Sequence, residues 1–248
     1  MGHAPLLAEL RDLVVGLRHY LEEEKRLGVE GWPKRSSSPR YKASPEPLVV
    51  SASPMTLEEV REELGDCRRC KLHSTRTQIV FGSGNPQAKL VFVGEGPGRD
   101  EDLQGQPFVG LAGQLLTKII QAIQLSRQEV YIANIIKCRP PGNRNPEPDE
   151  ISTCEPFLIK QLEVIRPKLI CALGTFAAQT LLKTEEKISL LRGRFHQYRG
   201  ISLMPTYHPA FLLRNPNYKR DVWEDMKKIS EVIMDKENVA HPAGDIRR

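Results

Sequence analysis

Three features of the 248-residue sequence predict an α/β fold built on a mostly parallel sheet. Short apolar runs rich in β-branched residues recur at 90–93, 129–137, 168–173 and 201–205, each the size of a buried strand. Stretches with helical apolar spacing lie between them, and strands alternating with helices give a parallel sheet covered on both faces. The segments that leave the strands are rich in glycine, proline and polar residues, and the carboxyl ends of strands are where such sheets bind ligands.

Composition narrows the class before any motif is considered. Hydrophobic residues make up 40% and charged residues 27%, ordinary for a water-soluble globular chain. No run approaches the roughly 18–20 apolar residues of a membrane span. No leader-like apolar core stands at the N-terminus either, so a cytoplasmic protein with no membrane contact is expected. The net charge of +5 allows a polyanionic partner without requiring one. Five cysteines, an odd number, with no sign of an oxidising compartment, favour metal ligation or buried thiols over disulfides.

In chain order, residues 1–30 carry Leu6, Leu7, Leu10, Leu13, Val14, Leu17 and Leu21 on one helical face. Residues 31–54 hold five prolines and six serines, the composition of a linker, and place a domain boundary there. Thr56 and Glu59 form a capping box that starts a short helix ending at Gly65-Asp66, just before Cys67-x-x-Cys70. The strand at 90–93 runs into Gly94-Glu95-Gly96-Pro97-Gly98, then an acidic cluster, Asp100, Glu101 and Asp102, read as loop. Gln106–Gly110 leads into a helix over about 113–123.

The strand at 129–137 ends near Asn134 and Cys138. Residues 139–148 (RPPGNRNPEP) form a loop, and Asp149 is the expected cap of a helix with Ile151, Cys154, Leu158, Leu162 and Ile165 on one face. The strand at 168–173, with Cys171 as an inert buried thiol, turns at Gly174-Thr175 into a helix through Leu182. Residues 192–200 read as a basic hairpin or loop. The strand at 201–205 leads to His208-Pro209-Ala210, and a last helix runs to about Met234, so the main domain spans 55–235 with a polar tail at 236–248.

Two constellations carry chemistry. Cys67 and Cys70 aim two sulfurs at one site, while Cys138 and Cys154 bracket the proline-rich loop; such a four-cysteine set suits zinc or an iron–sulfur cluster alike. Glu95, Asn134 and His208 stand after three different strands, so a parallel sheet would gather them at one cleft. An Asn offers a donor and an acceptor side by side, matching the O4 and N3–H edge of uracil. Phe108 suits stacking on a ring, and His208 suits donation to a carbonyl oxygen that gains charge. Leu212, Leu213 and Arg214 read as a wedge with a cation for a DNA base stack and phosphate, and Arg139 and Arg144 as phosphate contacts.

Gly94-Glu95-Gly96-Pro97-Gly98, Asp100–Asp102, Pro107–Gly110, Asn134, His208-Pro209-Ala210 and the four cysteines together resemble the family 4 uracil-DNA glycosylases over about residues 56–234. The resemblance implies a glycosylase fold with a central four-stranded parallel sheet flanked by helices. It implies hydrolysis of the N-glycosidic bond of deoxyuridine in DNA, single-stranded or in U·G and U·A pairs, leaving an abasic site. By position, it makes Cys67, Cys70, Cys138 and Cys154 the ligands of a 4Fe–4S cluster. It also makes Glu95, Gly96, Pro97, Phe108, Asn134 and His208 the uracil pocket, with Glu95 and His208 catalytic and Glu101 the alternative to Glu95 for handling water.

A relative of that family bonds covalently to the abasic sugar through a histidine in the loop that 139–148 resembles; no histidine stands here, so the resemblance implies hydrolytic, monofunctional turnover. A monomer that needs no dissociable divalent metal is also expected. Residues 1–54 are the candidate arm for a protein partner. The competing readings are a non-catalytic DNA-binding module with a structural four-cysteine metal site, and a glycosylase for another deaminated base.

Overall fold

A computed structural model of the chain describes residues 55–234. The helix expected in 1–30, the linker 31–54 and the tail 236–248 lie outside the described residues. The chain divides into two units, Met1–Ser51 and Ala52–Arg248, and the described residues all belong to the second.

The strands in chain order are β1 (Ser83–Gly84), β2 (Leu90–Gly94), β3 (Tyr131–Asn134), β4 (Leu169–Leu173), β5 (His196–Tyr198) and β6 (Ile201–Thr206). They form one sheet of order β1-β3-β2-β4-β6-β5. The four inner strands are parallel, and β1 and β5 pair antiparallel at the two edges. The expected parallel core of four strands is therefore present, extended to six. The edges escaped the sequence reading for different reasons: Ser83–Gly84 has no apolar run, and His196–Tyr198 lies within the basic hairpin segment.

The helices are α1 (Leu57–Leu64), α2 (Arg99–Gln104), α3 (Leu111–Ala122), α4 (Pro148–Ile165), α5 (Thr175–Leu182), α6 (Ile188–Leu191), α7 (Pro209–Arg214) and α8 (Lys219–Met234). None among the described residues is long and apolar enough to cross a membrane. The inner strands are buried on both faces, as a covered parallel sheet requires. Along β2, Leu90 and Phe92 pack with Leu116, Ile120, Met226 and Ile229 of α3 and α8. The alternate residues Val91 and Val93 pack with Leu158 of α4 and Ala177 and Leu181 of α5. A smaller cluster seats Val60 and Leu64 of α1 against Phe157 of α4.

From β2 the chain moves outward to β3 and then returns to the opposite side of β2 to form β4. That reversal opens a crevice at the carboxyl end of β2. The register holds the strand ends level there, with Gly94 opposite Asn134 and Leu173 opposite Thr206.

Three local expectations change. The strand over 129–137 is shorter, because after Asn134 the chain turns away; Ile135 and Ile136 still donate to the carbonyls of Gly94 and Glu95. The acidic cluster is not loop but α2, in which the Glu101 and Asp102 carboxylates are spent on backbone N–H groups. The long helix α4 is capped by Glu147 rather than Asp149, with Pro148 at its first position and the Glu147 N–H bonded to Glu150 at 2.8 Å.

Candidate active site and cysteine cluster

At the carboxyl end of β3, Asn134 is 1% exposed, and its Oδ1 has no hydrogen-bond partner among the described residues. The space in front of it exists because residue 94 is glycine. A Cβ at that position would strike Asn134 Oδ1 and stand 2.6 Å from the Phe108 ring. Asn134 and Phe108 therefore flank the same stretch of β2 backbone, one with an amide and the other with a ring face.

Phe108 holds φ +54°, the left-handed region that non-glycine residues rarely occupy, and such a conformation persists only when its surroundings impose it. Three groups do so. Glu101 Oε1 accepts from the N–H groups of Val109 and Gly110 at 2.9 and 3.0 Å. Arg127 Nη2 donates to the Pro107 carbonyl at 2.8 Å. Gly113 of α3 lies directly against the Phe108 carbonyl, where any Cβ would overlap it. Glu101 Oε2 also accepts from Gly98 N–H at 3.1 Å, so one carboxylate ties the loop after β2 to the loop carrying Phe108. Both of its oxygens are occupied by backbone donors, which removes it as the alternative to Glu95. Asp102 is equally structural, its Oδ1 accepting from Thr77 and Gln78 N–H.

Glu95 makes no side-chain hydrogen bond or ion pair among the described residues. Burial alone pushes its carboxyl up to about 7, because the charged form is poorly solvated. A carboxyl in that state is balanced between acid and base near neutral pH. Gly96 follows with Ile136 packed against its Cα, and Pro97 is buried beside it.

His208 caps α7, and its Nδ1 accepts from Ala210 N–H at 3.1 Å. Because Nδ1 is the acceptor, the proton of the neutral ring sits on Nε2. Burial pushes the imidazole down to about 4; the charge of Arg214 acts in the same direction and that of Glu101 opposes it. His208 thus presents a neutral N–H donor throughout the physiological range. Its ring lies 5.5 Å from that of Phe108, centroid to centroid, at 35°. Through that contact the third strand–loop unit meets Phe108, whose ring also stands beside Gly94 and Asn134.

The four predicted cysteine ligands lie within electrostatic reach of one another. Cys67 and Cys70 follow α1, Cys138 follows β3, and Cys154 sits on α4 one turn before Phe157, against which α1 packs. Cys138 and Cys154 are buried, whereas Cys67 and Cys70 are partly exposed. Arg69 reaches Cys67 Sγ at 3.3 Å, Arg76 reaches Cys138 Sγ at 3.5 Å, and Lys137 N–H donates to Cys154 Sγ at 3.2 Å.

Burial pushes the Cys138 thiol up to about 12; Arg76 pulls it back, while Cys154 and Cys70 push it further. Cys154 is raised by burial and, more weakly, by Cys70 and Cys67. Four sulfurs within electrostatic reach of one another, ringed by N–H donors, form a donor set suited to thiolate ligation. No three His, Cys, Asp or Glu side chains among the described residues converge on a single metal ion.

The predicted DNA contacts separate into two groups. Leu212 is 1% exposed and belongs to the core with Val222 and Met226, so it cannot enter a base stack. Leu213 is 46% exposed and Arg214 is exposed beside it at the end of α7. Arg144 is also corrected. Its guanidinium grips the fully buried carboxylate of Glu150 in a bidentate pair at 2.9 and 2.6 Å, and so serves the loop rather than a phosphate. Arg139 bonds Asn143 Oδ1 at 2.7 Å on the same loop and remains partly exposed. Sequence reasoning missed the roles of Glu101, Arg127, Arg76 and Gly113. Only the unusual residue types, a glycine within a helix and lone arginines, signalled them.

Comparison with known proteins agrees with this geometry. The profile of the family described as the uracil DNA glycosylase superfamily matches residues 81–227. A type-4 uracil-DNA glycosylase of Archaeoglobus fulgidus is 44% identical over 185 residues, covering 71% of this chain and 93% of the relative. One from Thermotoga maritima is 43% identical over 182 residues, 71% of this chain and 94% of the relative. A type-5 uracil-DNA glycosylase of Pyrobaculum aerophilum is 29% identical over 180 residues, 66% of this chain and 79% of the relative. The chain belongs to the uracil DNA glycosylase superfamily and, within it, to the type-4 uracil-DNA glycosylases.

Proposed function

We propose that the protein removes uracil from DNA by hydrolysing the N-glycosidic bond of deoxyuridine, the first step of base-excision repair. The observation that carries this reading is the buried, unpartnered Oδ1 of Asn134 beside Phe108. An orphan acceptor in a closed site costs stability unless a ligand supplies the missing donor. The N3–H of uracil is such a donor, and the amide nitrogen of the same side chain then meets O4. Cytosine presents an acceptor at N3 and a donor at its 4-amino group, the reverse pattern.

A stacked base cannot reach a pocket this deep, so the nucleotide must swing out of the helix, with the uracil ring lying on Phe108. Leu213 fills the gap it leaves, and Arg214 and Arg139 meet phosphates. As the bond to N1 breaks, negative charge builds on uracil, and His208 Nε2–H stabilises it at O2. A neutral donor fixed in advance is worth about 3–4 kcal/mol in such a step. Glu95, in its charged form, orients the water that attacks the cation-like sugar.

Cys67, Cys70, Cys138 and Cys154 would hold the 4Fe–4S cluster. When bound, it would supply an architectural cross-link through four thiolates at the two ends of the 139–148 loop. The chain's own residues carry out every chemical step.

The test is single-turnover release from an oligonucleotide holding one uracil, with EDTA present and alkali used to break abasic sites. Product from U, and none from C or T, is expected. With Asn134→Asp the rate on U should fall by about two orders of magnitude, the effect typical of losing an aligned transition-state contact. Unchanged base preference in that variant would remove Asn134 as the reader.

A further inference from the structure

Lys137 follows Asn134 by three residues and immediately precedes Cys138, yet its side chain is 0% exposed. The Nζ donates to the backbone carbonyl of Asn134 at 2.9 Å and to Gln161 Oε1 at 2.6 Å. No carboxylate pairs with it among the described residues. A buried amine without an acid partner is expensive, and an apolar side chain of similar length would fill the space at no such cost.

Gln161, also 0% exposed, is itself fixed from α4, its Nε2 donating to the Phe81 carbonyl at 2.9 Å and to Tyr131 Oη at 3.3 Å. The chain therefore spends two buried polar side chains on one carbonyl. That carbonyl needs support because it stands where the sheet gives out: β1 pairs with β3 only at Tyr131 and Ile132.

We propose that Lys137 is a positioning residue for uracil recognition. Its ammonium group, braced by Gln161, holds the Asn134 carbonyl and so sets the height and direction of the Asn134 amide in the pocket. The same residue's N–H is fastened to Cys154 Sγ at 3.2 Å, so the reading amide and the cysteine cluster share one rigid segment, residues 134–138. Lys137 touches neither uracil nor the sugar and acts only through Asn134.

This assignment rests on the glycosylase reading and is tested on the full chain with its cluster. Lys137→Met is compared with the wild type for single-turnover rate, inhibition by free uracil, affinity for uracil-containing DNA and the visible absorbance of the cluster. The expected result is a ten- to hundredfold slower chemical step and uracil inhibition weakened by at least tenfold. DNA affinity should stay within twofold and the absorbance unchanged.

A purely structural lysine would not follow the identity of residue 134, so the cycle with Asn134→Ala decides. In that background, adding Lys137→Met should cost less than twofold. An equal loss in both backgrounds, or native uracil inhibition in Lys137→Met, overturns the proposal. Should Lys137→Met not fold, Gln161→Met is put through the same cycle with the same two outcomes. If the wild type itself released no uracil, the glycosylase reading would fail; release with an additive cycle would sink only the role of Lys137.

Discussion

At the scale of single residues, the site works because two ionisable groups are shifted to opposite sides of their ordinary ranges. Burial pushes His208 down to about 4, so it should stay neutral near pH 7 and contribute no inflection there. Glu95 titrates near 7, and only its charged form can orient water, so the chemical step should slow as pH falls below 7 and level off above it. A single-turnover pH profile should show one acidic limb, and Glu95→Gln should abolish the limb along with most of the rate. A limb that survives in Glu95→Gln would assign the titration elsewhere. The same raised value carries a stability cost with a definite sign. The folded protein binds the Glu95 proton more tightly than the unfolded chain, so stability falls as pH rises from about 4.5 through 7. Glu95→Gln should therefore melt a few degrees higher than the wild type at pH 8, with little difference at pH 4.5. His208→Ala should slow the chemical step by about two to three orders of magnitude, the usual effect of losing one preorganised donor. Its affinity for uracil-containing DNA should hardly change; a matching loss of binding would make His208 a binding residue instead.

At the scale of elements, the pocket is made by loops that helices hold from outside. α3 begins against the strained Phe108, and the contact is so close that Gly113 admits no Cβ. Gly113→Ala should therefore push Phe108 from its position and cut the rate on uracil at least tenfold, with far-ultraviolet circular dichroism unchanged. Near-native activity would show that the loop tolerates the shift. The elements also show what the sequence could and could not disclose. The four parallel strands were legible because buried strands leave unbroken apolar runs, and the three reading residues because each follows such a run. The 4Fe–4S ligand set and the named activity came from resemblance to a family rather than from spacing, which left zinc open. Partners remote in the sequence were not legible. Nothing local distinguishes Glu101, which ties two loops, from the exposed Asp100 beside it, nor Arg144, gripping buried Glu150, from an arginine free for phosphate. Leu212 and Leu213 are identical in type and adjacent, and only the direction of a helix sends one into the core and the other into solvent.

At the scale of the whole molecule, the sheet separates two tasks along its own axis. The carboxyl ends of β2, β3 and β6 lead into Glu95, Asn134 and His208, the groups proposed for recognition and chemistry, while α1, α4 and the chain after β3 carry the cysteines. The segment 134–138 belongs to both, so the cysteine cluster and the pocket are mechanically one body. The superfamily profile matches residues 81–227, and this chain matches 93% of the length of the relative from Archaeoglobus fulgidus. A chain beginning at Met55 should therefore retain its cluster absorbance and a single-turnover rate on uracil within about twofold of the full chain, because each group that reads the base, donates to it or orients water is still held by the same partners. If the shortened chain folds and keeps its cluster but loses the chemical step, residues 1–54 complete the active site. If it loses only affinity for DNA, they act as an arm on the substrate, and the arm's contribution is the ratio of the two dissociation constants.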